Sequence, residues 1–178
     1  MTIAKITSID IFKVNNLAVL FIGATLPFMF SSIVINSVSA TAEKIVEEVR
    51  RQFKSGQIMA GKKKPNYEKL IGIATSSSIK SMFLPSILVV VTTLIIGLIF
   101  GVESLGSFIV GVTATSLLLG LFMAKAGGSY DNAKKYNEKG NYGGKGSEAH
   151  KAAVVGDTVG DPLKDTAGPS LNIVLKLV

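Results

Sequence analysis

Four apolar stretches, residues 14–40, 82–100, 105–124 and 152–178, restrict what this 178-residue chain can fold into. Each is long enough to cross a hydrocarbon core of roughly 30 Å as a helix of about 20 residues. The first three are nearly uncharged, and the fourth is apolar apart from five charges. Charged residues make up only 17% of the chain, below the roughly 25% of soluble domains, and the mean hydropathy is +0.46. Ser and Thr scattered through the stretches favour packing against other helices over contact with lipid alone. The expected fold is an all-α integral membrane protein, a single region with four transmembrane helices.

A net charge of +7 would ordinarily raise nucleic acid as a partner, but its distribution argues otherwise. Of the 19 Lys and Arg residues, nine lie in the connection 41–81 and six in the connection 125–151. Those connections follow the first and third stretches, so both fall on one side, while residues 101–104 carry no basic group. This is the positive-inside pattern, which puts both basic loops in the cytoplasm, both termini outside, and excludes a nucleic-acid surface. There is no cysteine, which removes disulfides and thiolate metal sites, and the single His150 cannot build a histidine site. The N-terminus, MTIAKITSIDIFKVNN, lacks the order of a signal peptide.

Pro27, followed by Ser31 and Ser32, predicts a kink in the first span. Helical periodicity then carries on through TAEKIVEEVRRQF, with Ile45, Val46, Val49 and Phe53 on one side. Glu47, Glu48, Arg50 and Arg51 fall mainly on the other, as in an amphipathic extension that shields the cytoplasmic mouth. GQIMAGKKKPNY reads as an exposed loop. The tight turn near Gly101 makes the second and third spans antiparallel neighbours, with Glu103 simply solvated at that turn. Small residues such as Gly97, Gly106, Gly111 and Gly120 predict close helix contact. GNYGGKGSEAH is a flexible loop, neither a GxxxxGK[ST] nor a GxGxxG phosphate loop, and Ser147 or Glu148 begins the last helix.

That last helix carries Asp157, Asp161 and Asp165 at strict four-residue spacing, which puts them on one face over roughly 12 Å, with Lys164 beside them. Pro162 loosens the helix between them. Asp131 and Lys134 lie one turn apart if a helix resumes after Gly127 and Gly128. A salt-bridged surface helix is the bland reading, and the apolar flanks VVG and GPSLNIVLKLV count against it. Intramembrane charges of this density call for a highly charged ligand. Oxygen ligands without Cys or His clusters favour magnesium or calcium over zinc, and interspersed lysines suit phosphate. An aspartate not tied up by metal can polarise a water for in-line attack on phosphorus. Lys176, three turns further on, requires a carboxylate from a helix outside this chain. The residues alone thus point to phosphate hydrolysis or transfer at a membrane surface, with the substrate left open.

GGSYDNAKKYNE, GGKGSEAHKAAVVGDTVGDPLKDTAGPSLNIVLKL and VEEVRRQF resemble the C-terminal part of the membrane-integral, ion-pumping inorganic pyrophosphatases. The resemblance runs over essentially the whole chain, and GDTVGDPLKDT is its most specific string. It implies the last four of a pump of roughly sixteen helices. It also implies an enzyme in the cell membrane that works as a homodimer and couples hydrolysis of magnesium pyrophosphate to sodium or proton transport. Carried over by position, Asp131, Asp157 and Asp161 match magnesium-site aspartates, and Lys134 and Lys164 match pyrophosphate-binding lysines. Asp165 matches an aspartate that holds the attacking water, and Lys176 matches a lysine of the ion gate. GPSLN resembles the potassium-stimulated branch, which adds potassium to magnesium as an expected cofactor. Lys125 departs from the family pattern, where a small polar residue is expected.

The second water-holding aspartate and most of the channel belong to upstream family segments that this sequence does not contain, so the 178 residues alone are expected to be inactive. Two alternatives come from other classes. One is a non-catalytic truncated fragment or assembly subunit that needs a separately encoded N-terminal part. The other is a stand-alone channel, which rests on intramembrane charge alone.

Overall fold

Gly101 is the one residue inside the long second helix whose backbone leaves the helical region, with φ +83°. That value suits glycine, which lacks the Cβ that makes positive φ costly. The computed structural model describes residues 8–178 and is all-helical over them, with no strand. Helix α1 spans Val14–Phe53, and α2 spans Tyr67–Glu138 with its break at Gly101. A 3-10 turn at Asn141–Gly143 leads into α3, Glu148–Asp161. A π-helical segment, Pro162–Ala167, joins α3 to α4, Gly168–Leu177. The signal-peptide reading rested partly on residues 1–7, which lie outside the described residues.

Contacts along α1 fix the topology. Near its start, Asn16 meets Glu103 and Ser104, and Gly23 then packs against Phe108 and Gly111 against Leu20 and Ala24. The arm 102–138 therefore runs parallel to α1. At the other end Gln52 exchanges hydrogen bonds with the Asn66 backbone, and Lys69 reaches Glu48. The arm 67–100 therefore runs antiparallel to α1, and the chain reverses at Gly101. The last rod, α3 through α4, runs back down the arm 102–138, with Gly160 at Gly127 and Gly168 and Leu171 at Gly120. The two basic connections thus emerge at the same end of the bundle.

Some expectations need correction. On the polar side of α1, Glu48 is buried, and Arg51, Gln52 and Lys69 all turn their donors onto its carboxylate. These partners hold its carboxyl well below the usual range, Arg51 and then Gln52 contributing most. Glu103 is likewise engaged, accepting from Lys13 Nζ at 2.9 Å and from Asn16 Nδ2 at 3.1 Å. Helix α2 begins at Tyr67, where the Asn66 side chain caps Lys69 N–H, so residues 67–81 of the second connection are helical.

The core is a narrow seam, with Val19, Phe108, Val112 and Val174 fully buried. Outside it, large apolar side chains such as Leu98, Leu118 and Phe122 are exposed. Both α1 and α2 are long and apolar enough to cross a membrane, yet only 17% of the most apolar window of α2 is buried inside the bundle. Apolar residues turned outward at this density suit lipid or further helices, not water.

At the crossing of α1 and α2, a β-carbon on Gly111 would run into the Leu20 carbonyl oxygen and lie 3.0 Å from Ala24 N. Gly111→Ala is expected to destabilise the bundle by about 1–3 kcal/mol through overpacking. Gly72→Ala, which meets nothing within 4 Å, is expected to be neutral or slightly stabilising. Thermal unfolding of both variants in detergent checks the contrast, and equal effects would refute this crossing.

Candidate active site

The arm 102–138 does not stop near residue 124 but runs unbroken through Gly127 and Gly128. It thereby presents Asp131, Lys134 and Lys135 on successive turns at the end of the bundle that carries the basic connections. Opposite it, Ser147 caps α3 by accepting from His150 N–H at 3.1 Å, as its place in the sequence suggested. The turn between them needs positive φ at Gly140, Tyr142, Gly143, Gly144 and Gly146. The Gly146 N–H donates to His150 Nδ1, so His150 Nε2 carries the proton and donates to Glu138 at 3.3 Å. This clip ties the start of α3 to the end of α2.

One turn further in, glycine lets the two rods touch. A β-carbon on Gly127 would lie 2.5 Å from the Gly160 carbonyl oxygen and 2.7 Å from Lys164 Cβ. Tyr130 fills the adjoining space against Gly156 and Gly160. That contact brings five of the expected site residues into one cluster. Lys134 Nζ bonds Asp157 and lies 3.7 Å from Asp131. Lys164 Nζ stands between three carboxylates, at 3.1 Å from Asp131, 3.0 Å from Asp161 and 3.5 Å from Asp157. Asp157 is the deepest member, its side chain 8% exposed, whereas Asp161 at 50% opens towards solvent.

Sequence reasoning missed one member, Lys135, whose Nζ bonds Asp131 Oδ2 at 2.8 Å. Its i, i+4 spacing from Asp131 was the available signal. Asp165 and Lys176 are not in the cluster: both are exposed, and neither has an ion-pair partner among the described residues. The aspartate stripe assumed an unbroken α-helix. From Pro162 to Ala167 the chain instead takes π-helical i→i+5 bonding, which changes the register beyond Asp161.

The cluster is a set of hard oxygen donors interleaved with ammonium groups. Lys135, then Lys164, hold the Asp131 carboxyl at about 2, below its ordinary 3.8. The bond to Asp157 raises the pKa of Lys134. Asp157 Oδ1 is buried and accepts no hydrogen bond; its one charged neighbour is Lys164 Nζ at 3.5 Å. Among the described residues no three acidic or histidine side chains converge into a metal cage. Carboxylates set beside ammonium groups have the chemistry to share a hard cation with an oxyanion, the manner in which magnesium is commonly held.

The chain matches, over residues 1–178, the sequence profile of the family described as "Inorganic H+ pyrophosphatase". It is 52% identical over 175 residues to a Clostridium tetani protein that carries the name of a K(+)-stimulated pyrophosphate-energized sodium pump. That match covers 98% of this chain and 26% of the relative. A K(+)-insensitive pyrophosphate-energized proton pump of Chloroflexus aurantiacus is 51% identical over 159 residues, 89% of this chain and 20% of the relative. A third, from Caldanaerobacter subterraneus and also named a K(+)-insensitive proton pump, is 47% identical over 96% of this chain and 24% of its own length. The chain thus spans about a quarter or less of these relatives.

Because Asp131 is held deprotonated in the folded state, its contribution to stability is present above its unfolded pKa near 4 and disappears as pH falls through about 2. Thermal stability in detergent is expected to drop across that interval. Asp131→Asn should flatten this part of the profile, and an unaltered slope in the variant would remove Asp131 from the ion-pair network.

Proposed function

The chain belongs to the inorganic H+ pyrophosphatase family, and from that premise we propose that it forms the C-terminal part of a multi-pass cell-membrane pump that couples hydrolysis of magnesium pyrophosphate to sodium or proton translocation. The observation that carries this reading is the cluster of Asp131, Lys134, Asp157, Asp161 and Lys164, built where α2 and α3 touch. On this reading α1, the two arms of α2 and the α3–α4 rod are four transmembrane passes, with both basic connections on the cytoplasmic side.

Asp131, Asp157 and Asp161 would hold magnesium, which when bound offsets the charge of the phosphate oxygens. Lys134 and Lys164 would turn from the carboxylates onto those oxygens and fix the diphosphate. Asp165, one turn from Asp161, would orient the attacking water and accept its proton. Lys176 would act as a gate, paired with a carboxylate from a helix upstream of this segment. The exposure of Asp165 and Lys176 supports this, because both present charge to the space that further helices of a longer pump would fill. The assembly would be a homodimer. Potassium stimulation remains part of the proposal through GPSLN, and relatives carry both potassium-stimulated and potassium-insensitive names.

Magnesium-dependent pyrophosphate hydrolysis in membranes tests the reading, with the 178 residues expressed alone and together with the upstream part supplied separately. Hydrolysis is expected only in the pair and should fall about 100-fold or more with Asp165→Asn, the scale of a lost general base. Robust hydrolysis by the 178 residues alone would refute the shared site. Silence of the pair, with both parts stably inserted, would favour a non-catalytic fragment.

A further inference from the structure

An open groove of about 690 Å³ lies between α1 and the first arm of α2, lined by Lys44, Lys69, Lys80, Ser76, Ser77 and Asn66. Against three lysines the lining has a single carboxylate, Glu68. Lys69 is partly engaged, its Nζ 3.0 Å from Glu48, whereas Lys44 and Lys80 form no ion pair among the described residues. Two free ammonium groups and two hydroxyls facing one space form a receptor for a phosphate-type anion.

What lies below the groove identifies the ligand further. At helical spacing its α2 positions 69, 72, 73, 76, 77 and 80 continue as Phe83, Ile87, Val91, Leu94 and Leu98. All five are exposed, and Leu98 is 84% exposed. One helix face therefore changes from basic and hydroxylated to wholly apolar at about Lys80. A free anion has no use for the lower half. A packed helix would prefer small residues there, such as those on a separate cleft of about 430 Å³ that Ser37, Thr41, Ser78 and Ser81 help to line. Bulky aliphatic and aromatic groups beneath a basic groove suit a lipid.

We infer that this face binds an anionic phospholipid of the cytoplasmic leaflet, with its phosphate between Lys44 and Lys80 and its chains along Phe83 to Leu98. The inference rests on the reading of the first arm as a membrane pass, and it is independent of hydrolysis. It therefore stands or falls separately from the catalytic proposal.

Native mass spectrometry of the full chain in detergent, with dioleoyl phosphatidylglycerol, dioleoyl phosphatidylcholine or inorganic phosphate, tests it. Phosphatidylglycerol is expected to be retained roughly tenfold more than phosphatidylcholine, and Lys44→Gln/Lys80→Gln should remove that preference. Lys44→Arg/Lys80→Arg should keep it, at matched helix content by circular dichroism. Equal retention of the two lipids would overturn the inference, as would undiminished phosphatidylglycerol on the Gln variant. Displacement of the lipid by equimolar inorganic phosphate would mark a free-anion site instead. Loss of the lipid on co-expression with the upstream part would assign the face to another helix. Either result overturns it too.

Discussion

Backbone-to-backbone approach at glycine is the constraint on which the rest of this structure depends. Gly23 and Gly111 bring α1 against the second arm of α2, and Gly127 and Gly160 bring that arm against α3. Where the helices meet so closely, dispersion contacts accumulate and no side chain stands between them. The second contact also sets the reach of the site. Lys134 and Lys164 span the gap to opposite carboxylates only because the rods are no further apart than glycine permits. The ion pairs are thus a consequence of the packing more than its cause. Taking six charged groups partly out of water costs about as much as their attraction returns.

Much of this was legible in one dimension. Apolar runs gave helices, the small-residue turn at Gly101 gave the reversal, and Ser147 gave the start of α3, since each rests on local chemistry. The spacing of Asp131 to Lys134 and of Asp157 to Asp161 also placed their side chains on facing turns once the rods were paired. Arg51 and Gln52 stand at i+3 and i+4 from Glu48, a local signal, but the distant partners of Glu48 and Glu103 were not legible. Glu48 meets Lys69 and Glu103 meets Lys13 across long separations in sequence, and amphipathic periodicity cannot tell solvent from a neighbouring helix. The departure of Asp165 from the stripe was illegible for a different reason. Pro162 announced a disturbance, but whether a proline kinks, bulges or merely sits in a helix depends on what surrounds it.

The proposed reaction gives the balance of charge in the cluster a meaning. Asp131, Asp157 and Asp161 face Lys134, Lys135 and Lys164, three carboxylates against three ammonium groups. A divalent cation entering alone would be repelled by lysines that already stand between its ligands. A diphosphate entering alone would meet carboxylates at the distances its oxygens need. A metal–diphosphate complex would avoid both penalties, because Lys134 and Lys164 would exchange a carboxylate for a phosphate oxygen and leave the released carboxylates free to hold the metal. On this reading the neutral, cross-linked cluster discriminates against either component by itself, and its lysines hold the aspartates apart until the complex arrives. Asp157 Oδ1, buried and met only by Lys164 Nζ at 3.5 Å, would become available to the metal once that lysine turned to phosphate.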